Sequence, residues 1–138
     1  MAAYQLALIS SLDVHAMLNE HLGQMRSPIT THILNTALGR PASGVTVRLS
    51  RFREGKFHEI GRGVTDGDGR VMTGLIDDSE YSAGEYQLRF ETADYFAAQG
   101  IDAFYPRITI EFLVAPDEEH YHVPLLLTPF GYTTYRGS

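Results

Sequence analysis

From Ile29 onward the chain alternates apolar and polar residues with a period of two, punctuated by glycine and proline. In "SGVTVRLSRF", Val45, Val47 and Leu49 fall on one side and Thr46, Arg48 and Ser50 on the other, the pattern of a half-buried strand. Strands are likewise predicted at "THILNT", "GEYQLRF", "YPRITIEFLV", "HYHVPLLL" and "GYTTY". "GRGVTDGDGRVMTGL" carries Asp-Gly twice between strand-like runs, a hairpin-turn signal. In "TADYFAAQG" the rhythm changes: Ala93, Phe96 and Ala97 form one stripe, with Thr92 to cap the start and Gly100 to close the end of a short helix. Before Ile29 the period is helical. Val14, Met17, Leu18 and Leu22 recur at i, i+3, i+4 and i+8, with Ser11 before them and Gly23 after. The expected organisation is an N-terminal helical extension over residues 1–26 and one domain over 27–138. About eight short strands at this turn spacing predict an all-β domain, a sandwich or a barrel with one short helix, and the sandwich is favoured.

Composition narrows the partners. The 138 residues suit a single core large enough to fold without a staple. No cysteine is present, which removes thiol nucleophiles, disulfides and thiolate metal sites. A net charge of −6 without any lysine-rich run argues against nucleic acid as a partner. No apolar stretch approaches the roughly 18 residues of a membrane span. The mildly apolar start lacks a cationic n-region and is interrupted by Asp13 and His15, so it is read as retained and the protein as cytoplasmic.

Candidate chemistry gathers near the C-terminus. Asp66-Gly67-Asp68-Gly69 lacks the further oxygen ligands of a calcium loop and is read as a turn. His120 and His122 project on the same side of a strand, with Tyr121 on the other. That spacing fits satisfied strand-end polar residues, acid–base chemistry, or a zinc site completed by a ligand such as His32. Pro124 has no N–H for a ladder, so its strand is expected at a sheet edge or with a bulge by the histidines. In an acidic chain an anionic substrate needs a local cation. Arg70, after the turn, and Arg136, near the end, are the candidates, with solvated surface arginines as the alternative.

Four stretches, "THILNTALGRPA", "TDGDGR", "YFAAQGIDAFYPRITIEF" and "HYHVPLLLTPFGYTTYRGS", resemble the 5-hydroxyisourate hydrolases, also called transthyretin-related proteins. The likeness runs from about Ser27 to Ser138, and the ending after "HYHVPLLL" is its most specific part. It implies a transthyretin-like two-sheet antiparallel sandwich with one short helix, assembled as a homotetramer with active sites where dimers pack together. It also implies hydrolysis of 5-hydroxyisourate to 2-oxo-4-hydroxy-4-carboxy-5-ureidoimidazoline, on the way from urate to allantoin. By the same resemblance His32, Arg70, His122 and Ser138 are catalytic. Tyr135, Arg136 and Gly137 join His32, Arg70 and Ser138 in binding the substrate. His32 and His122 form an acid–base pair whose order stays open, as does the choice between the hydroxyl and the terminal carboxylate of Ser138. No metal and no cofactor are implied. The alternative within the same fold is a hormone-type small-molecule carrier without catalysis.

Overall fold

The computed structural model describes residues 26–138. The expected helix between Ser11 and Gly23 lies outside the described residues, as does the 1–26 extension except Arg26. The elements are β1 (Ile29–Asn35), β2 (Arg40–Pro41), β3 (Thr46–Arg53), β4 (Lys56–Val64), β5 (Arg70–Val71), β6 (Gly84–Phe90), α1 (Thr92–Ala97), β7 (Ile108–Val114), β8 (Tyr121–Thr128) and β9 (Gly131–Thr134). They form the predicted two-sheet sandwich. One sheet runs β2-β1-β8-β9 with β5 also paired to β1, and the other runs β4-β3-β6-β7.

The inward faces follow the period-two pattern. Val45, Val47 and Leu49 have no exposed surface, and Ile33, Leu88, Phe90 and Leu125 meet them from the other strands. Full burial of each such side chain contributes about 1.5–3 kcal/mol, so register is strongly specified. A one-residue slip of β8 would expose Val123, Leu125 and Leu127 and drive His122 into the core.

All strand pairs are antiparallel except β1 and β8, which run parallel over Ile29–Asn35 and Tyr121–Leu127. Parallel neighbours need a long crossover, and here the whole second sheet lies between them in sequence.

Three local expectations are corrected. The Asp-Gly segment does turn, with Gly69 N–H donating to the Asp66 carbonyl at 2.9 Å. It does not close a hairpin ladder, however, because β4 belongs to one sheet and β5 to the other. α1 is capped differently as well. Thr92 is the first helical residue rather than the cap, its hydroxyl is buried without a partner, and of the expected stripe Phe96 is buried and Ala93 half-buried whereas Ala97 is exposed.

Pro124, finally, is not on an edge strand, since β8 lies between β1 and β9. Its carbonyl accepts from Thr134 Oγ1 at 2.8 Å, so its missing N–H also falls on the β9 side. There the ladder stops at Leu125↔Thr134 and resumes only at the His122↔Gly137 bridge. The proline is accommodated by this gap.

Candidate active site

β1 and β8 alternate, so the residues flanking their buried positions share the outer face of the first sheet. On β8, Tyr121, Val123, Leu125 and Leu127 are buried inward, which turns His122 outward. In the parallel register His32 stands opposite Pro124, and Thr30 opposite His122. On the other side of β1, His32 pairs with Arg70 of β5. Neighbouring strands lie about 4.8 Å apart, so three strands deliver Arg70, His32 and His122 to one patch of one face.

The turn before β5 is built to make that delivery. Asp66 Oδ1 accepts from the backbone N–H of Asp68 at 2.9 Å and of Arg70 at 3.0 Å, and Gly69 O accepts from Ile33 N–H at 2.7 Å. Gly69 sits at φ +76°, and a Cβ there would run into the Ile33 carbonyl. Only glycine fits both the conformation and the space.

Burial and neighbouring positive charge set the protonation of the patch. His122 is half-buried, and burial pushes its pKa below the ordinary 6.5. Repulsion from the cationic forms of His120 and His32, and from Arg70, pushes the same way. His120 is lowered as well, by burial first and then by Arg26. Both rings therefore favour the neutral form, able to accept a proton.

The closing tetrapeptide divides between two faces. Gly137 N–H donates to the His122 carbonyl at 2.8 Å, and a Cβ on Gly137 would lie 2.7 Å from His122 Cδ2 and 3.2 Å from Pro124 Cγ. The glycine thus packs flat against the histidine, and Ser138, which follows it in the chain, is exposed. Arg136 goes elsewhere. Its guanidinium carbon lies 4.4 Å above the Tyr121 ring, and Nη2 is 3.2 Å from Glu118 Oε2. Tyr121 faces inward, so Arg136 stands on the opposite side of β8 from His122. With Tyr135 it rims an apolar cavity of about 220 Å³ over Tyr121, Val123, Ile110 and Phe112. Within one chain, then, His32, Arg70, His122 and Gly137 come together, whereas Tyr135 and Arg136 line a different concavity and Ser138 is exposed after Gly137.

Among the described residues no three His, Cys, Asp or Glu side chains converge to hold a metal ion. The grouping of His32, His120 and His122 as ligands therefore has no geometric support. One residue that the sequence did not single out belongs to the patch: Thr30, whose hydroxyl lies between His120 and His122. It shares their face only through the β1/β8 register, which no local signal announces.

Residues 29–137 match the HIUase/Transthyretin family. This chain belongs to that family. Among its relatives, 5-hydroxyisourate hydrolase 2 of Rhizobium meliloti is 44% identical over 114 residues, which cover 80% of this chain and 95% of that protein. The structure of Klebsiella pneumoniae 5-hydroxyisourate hydrolase superposes with a TM-score of 0.69 at 40% identity, covering 80% of this chain and 98% of the other. Sea bream transthyretin in complex with thyroxine superposes with a TM-score of 0.76 at 34% identity, covering 80% and 95%. The family therefore offers both an enzyme and a ligand-binding relative on one fold, and side chains must discriminate between them.

Proposed function

We propose that this chain hydrolyses 5-hydroxyisourate to 2-oxo-4-hydroxy-4-carboxy-5-ureidoimidazoline, using His32, Arg70 and His122 on the outer face of the first sheet. The convergence of two half-buried histidines and an arginine on that face carries the reading. A passive binding surface has no need of an imidazole held neutral beside a fixed cation. The hydrolase relatives support it too, with identities above that of the hormone-bound transthyretin although the latter superposes more closely.

Ring opening requires water to attack a carbonyl carbon while the bond from that carbon to a ring nitrogen breaks. The carbon becomes a carboxyl group, and the nitrogen leaves with a proton. His122, kept neutral by burial and neighbouring charge, takes the proton of the attacking water. His32 supplies the proton to the leaving nitrogen. Arg70 holds the anionic heterocycle and stabilises the developing oxyanion with its planar fork of donors. Ser138, next to Gly137 in the chain, orients the water or substrate through its hydroxyl or its terminal carboxylate. No metal enters this scheme, so chelation should leave the rate unchanged.

The histidine face is open in a single chain, with Arg70 exposed. Substrate sites are usually concave and exclude water. We therefore propose a homotetramer in which a second copy covers this face, with the sites at the dimer–dimer interface. Tyr135 and Arg136 would meet substrate only in that assembly. The test is a spectrophotometric assay with freshly generated 5-hydroxyisourate. Loss of its absorbance faster than the spontaneous decay is expected, and a rate equal to the spontaneous one would refute the assignment.

A further inference from the structure

Thr30 has no exposed surface, and its Oγ1 lies 2.8 Å from His122 Nδ1 and 3.0 Å from His120 Nε2. The register explains why: Thr30 stands opposite His122, and the His-Tyr-His spacing brings both imidazoles to the same side. The two rings are 6.5 Å apart, within 19° of parallel, and the hydroxyl sits between them.

A threonine hydroxyl has one hydrogen to donate and lone pairs with which to accept. Between two neutral imidazoles it can accept from both, which leaves its own hydrogen without an acceptor among the described residues, or donate to one ring nitrogen and accept from the other. Two arrangements give that hydrogen a partner. In one, His122 Nδ1–H donates to Thr30, and Thr30 donates to His120 Nε2. His122 Nε2 then bears a lone pair. In the other, the chain of donors is reversed, and His122 Nε2 carries the hydrogen and can abstract nothing. Among the described residues His122 Nε2 has no hydrogen-bond partner, so the Thr30 contact is what orders this ring's tautomer. Of these two arrangements only the first leaves a base.

We propose that Thr30 is a positioning residue for the hydrolysis, holding His122 in the Nδ1-protonated tautomer by passing its own hydrogen to Nε2 of His120. This rests on His122 being the base, as proposed above. It also gives His120 a role as the terminal acceptor of the relay, which accounts for a second histidine at this spacing. When His122 takes a proton at Nε2, its Nδ1–H bond to Thr30 becomes charge-assisted and shortens the path to the imidazolium. The logic is that of a base whose far nitrogen is held by an orienting partner, as in hydrolytic triads.

The test pairs NMR with kinetics on the full chain. Two-bond ¹⁵N–¹H correlations of histidine-labelled protein at mildly alkaline pH read each ring's tautomer without substrate. Wild type and Thr30→Ser are expected to show His122 protonated on Nδ1. Thr30→Val should shift His122 toward the Nε2-protonated form and lower kcat about tenfold at nearly constant KM, a fraction of the roughly 10²–10⁴ lost with the base itself. Thr30→Ser should restore both readouts. His122 protonated on Nε2 in wild type overturns the proposal, as does an Nδ1 tautomer that survives Thr30→Val intact. If Thr30→Val fails to fold, the wild-type and Thr30→Ser spectra still decide. Inactive wild type with a legible Nδ1 tautomer would overturn the hydrolase reading instead.

Discussion

His122 gathers the strongest physical constraints of any single residue: half-buried, pressed by Gly137, bound at Nδ1 and surrounded by groups that repel a positive charge. Truncation to alanine removes the base without opening the core, so His122→Ala should fold normally, as circular dichroism would show, yet lose about 10²–10⁴ in turnover. His120→Ala should lose less, since it removes only the relay's acceptor. The pH profile follows from the sign of the shift. Because the folded pKa lies below 6.5, the ring stays unprotonated further into acid than an ordinary histidine. The acidic limb of kcat/KM should therefore have its midpoint below pH 6.5. A midpoint at or above 6.5 would remove His122 from the base role. Of this constellation, His32, Arg70 and His122 were legible in motifs. Thr30 was not, because its partners lie 90 and 92 residues away and meet it only through a ladder.

At the level of elements, two glycines hold the geometry. Gly69→Ala must place a side chain at φ +76° against the Ile33 carbonyl, and should destabilise the fold by at least about 1 kcal/mol, visible as a lower Tm. Gly137→Ala adds a Cβ 2.7 Å from His122 Cδ2 and should lower kcat while leaving Tm nearly unchanged, because the clash falls on a side chain at the sheet surface. An unchanged kcat there would mean that the terminal segment does not hold the ring. Strand positions were readable because burial imposes a period of two, as Val45, Val47 and Leu49 illustrate. Pairing was less readable. The Asp-Gly turn and Pro124 carry correct local chemistry, but a turn does not reveal that its flanking strands belong to different sheets. Nor does a proline reveal whether an edge or a ladder gap absorbs its missing donor.

For the whole molecule, we propose a hydrolase unit that starts near Ser27; the family match itself spans residues 29–137. Deleting residues 1–26 should leave a folded, active protein; an insoluble or inactive truncation would put that segment in the core or in an interface. Removing Tyr135 to Ser138 should abolish hydrolysis and spare the sandwich, since the residues lost follow the last strand. Full specific activity in demonstrably monomeric protein would exclude the shared-interface site. The most direct measurement follows the decay of freshly generated 5-hydroxyisourate with wild type and His122→Ala side by side at equal folded concentration. Rapid loss is expected with wild type, and a rate about 10²–10⁴ lower with the variant. Equal rates for the two proteins, or wild type no faster than buffer, would contradict that expectation.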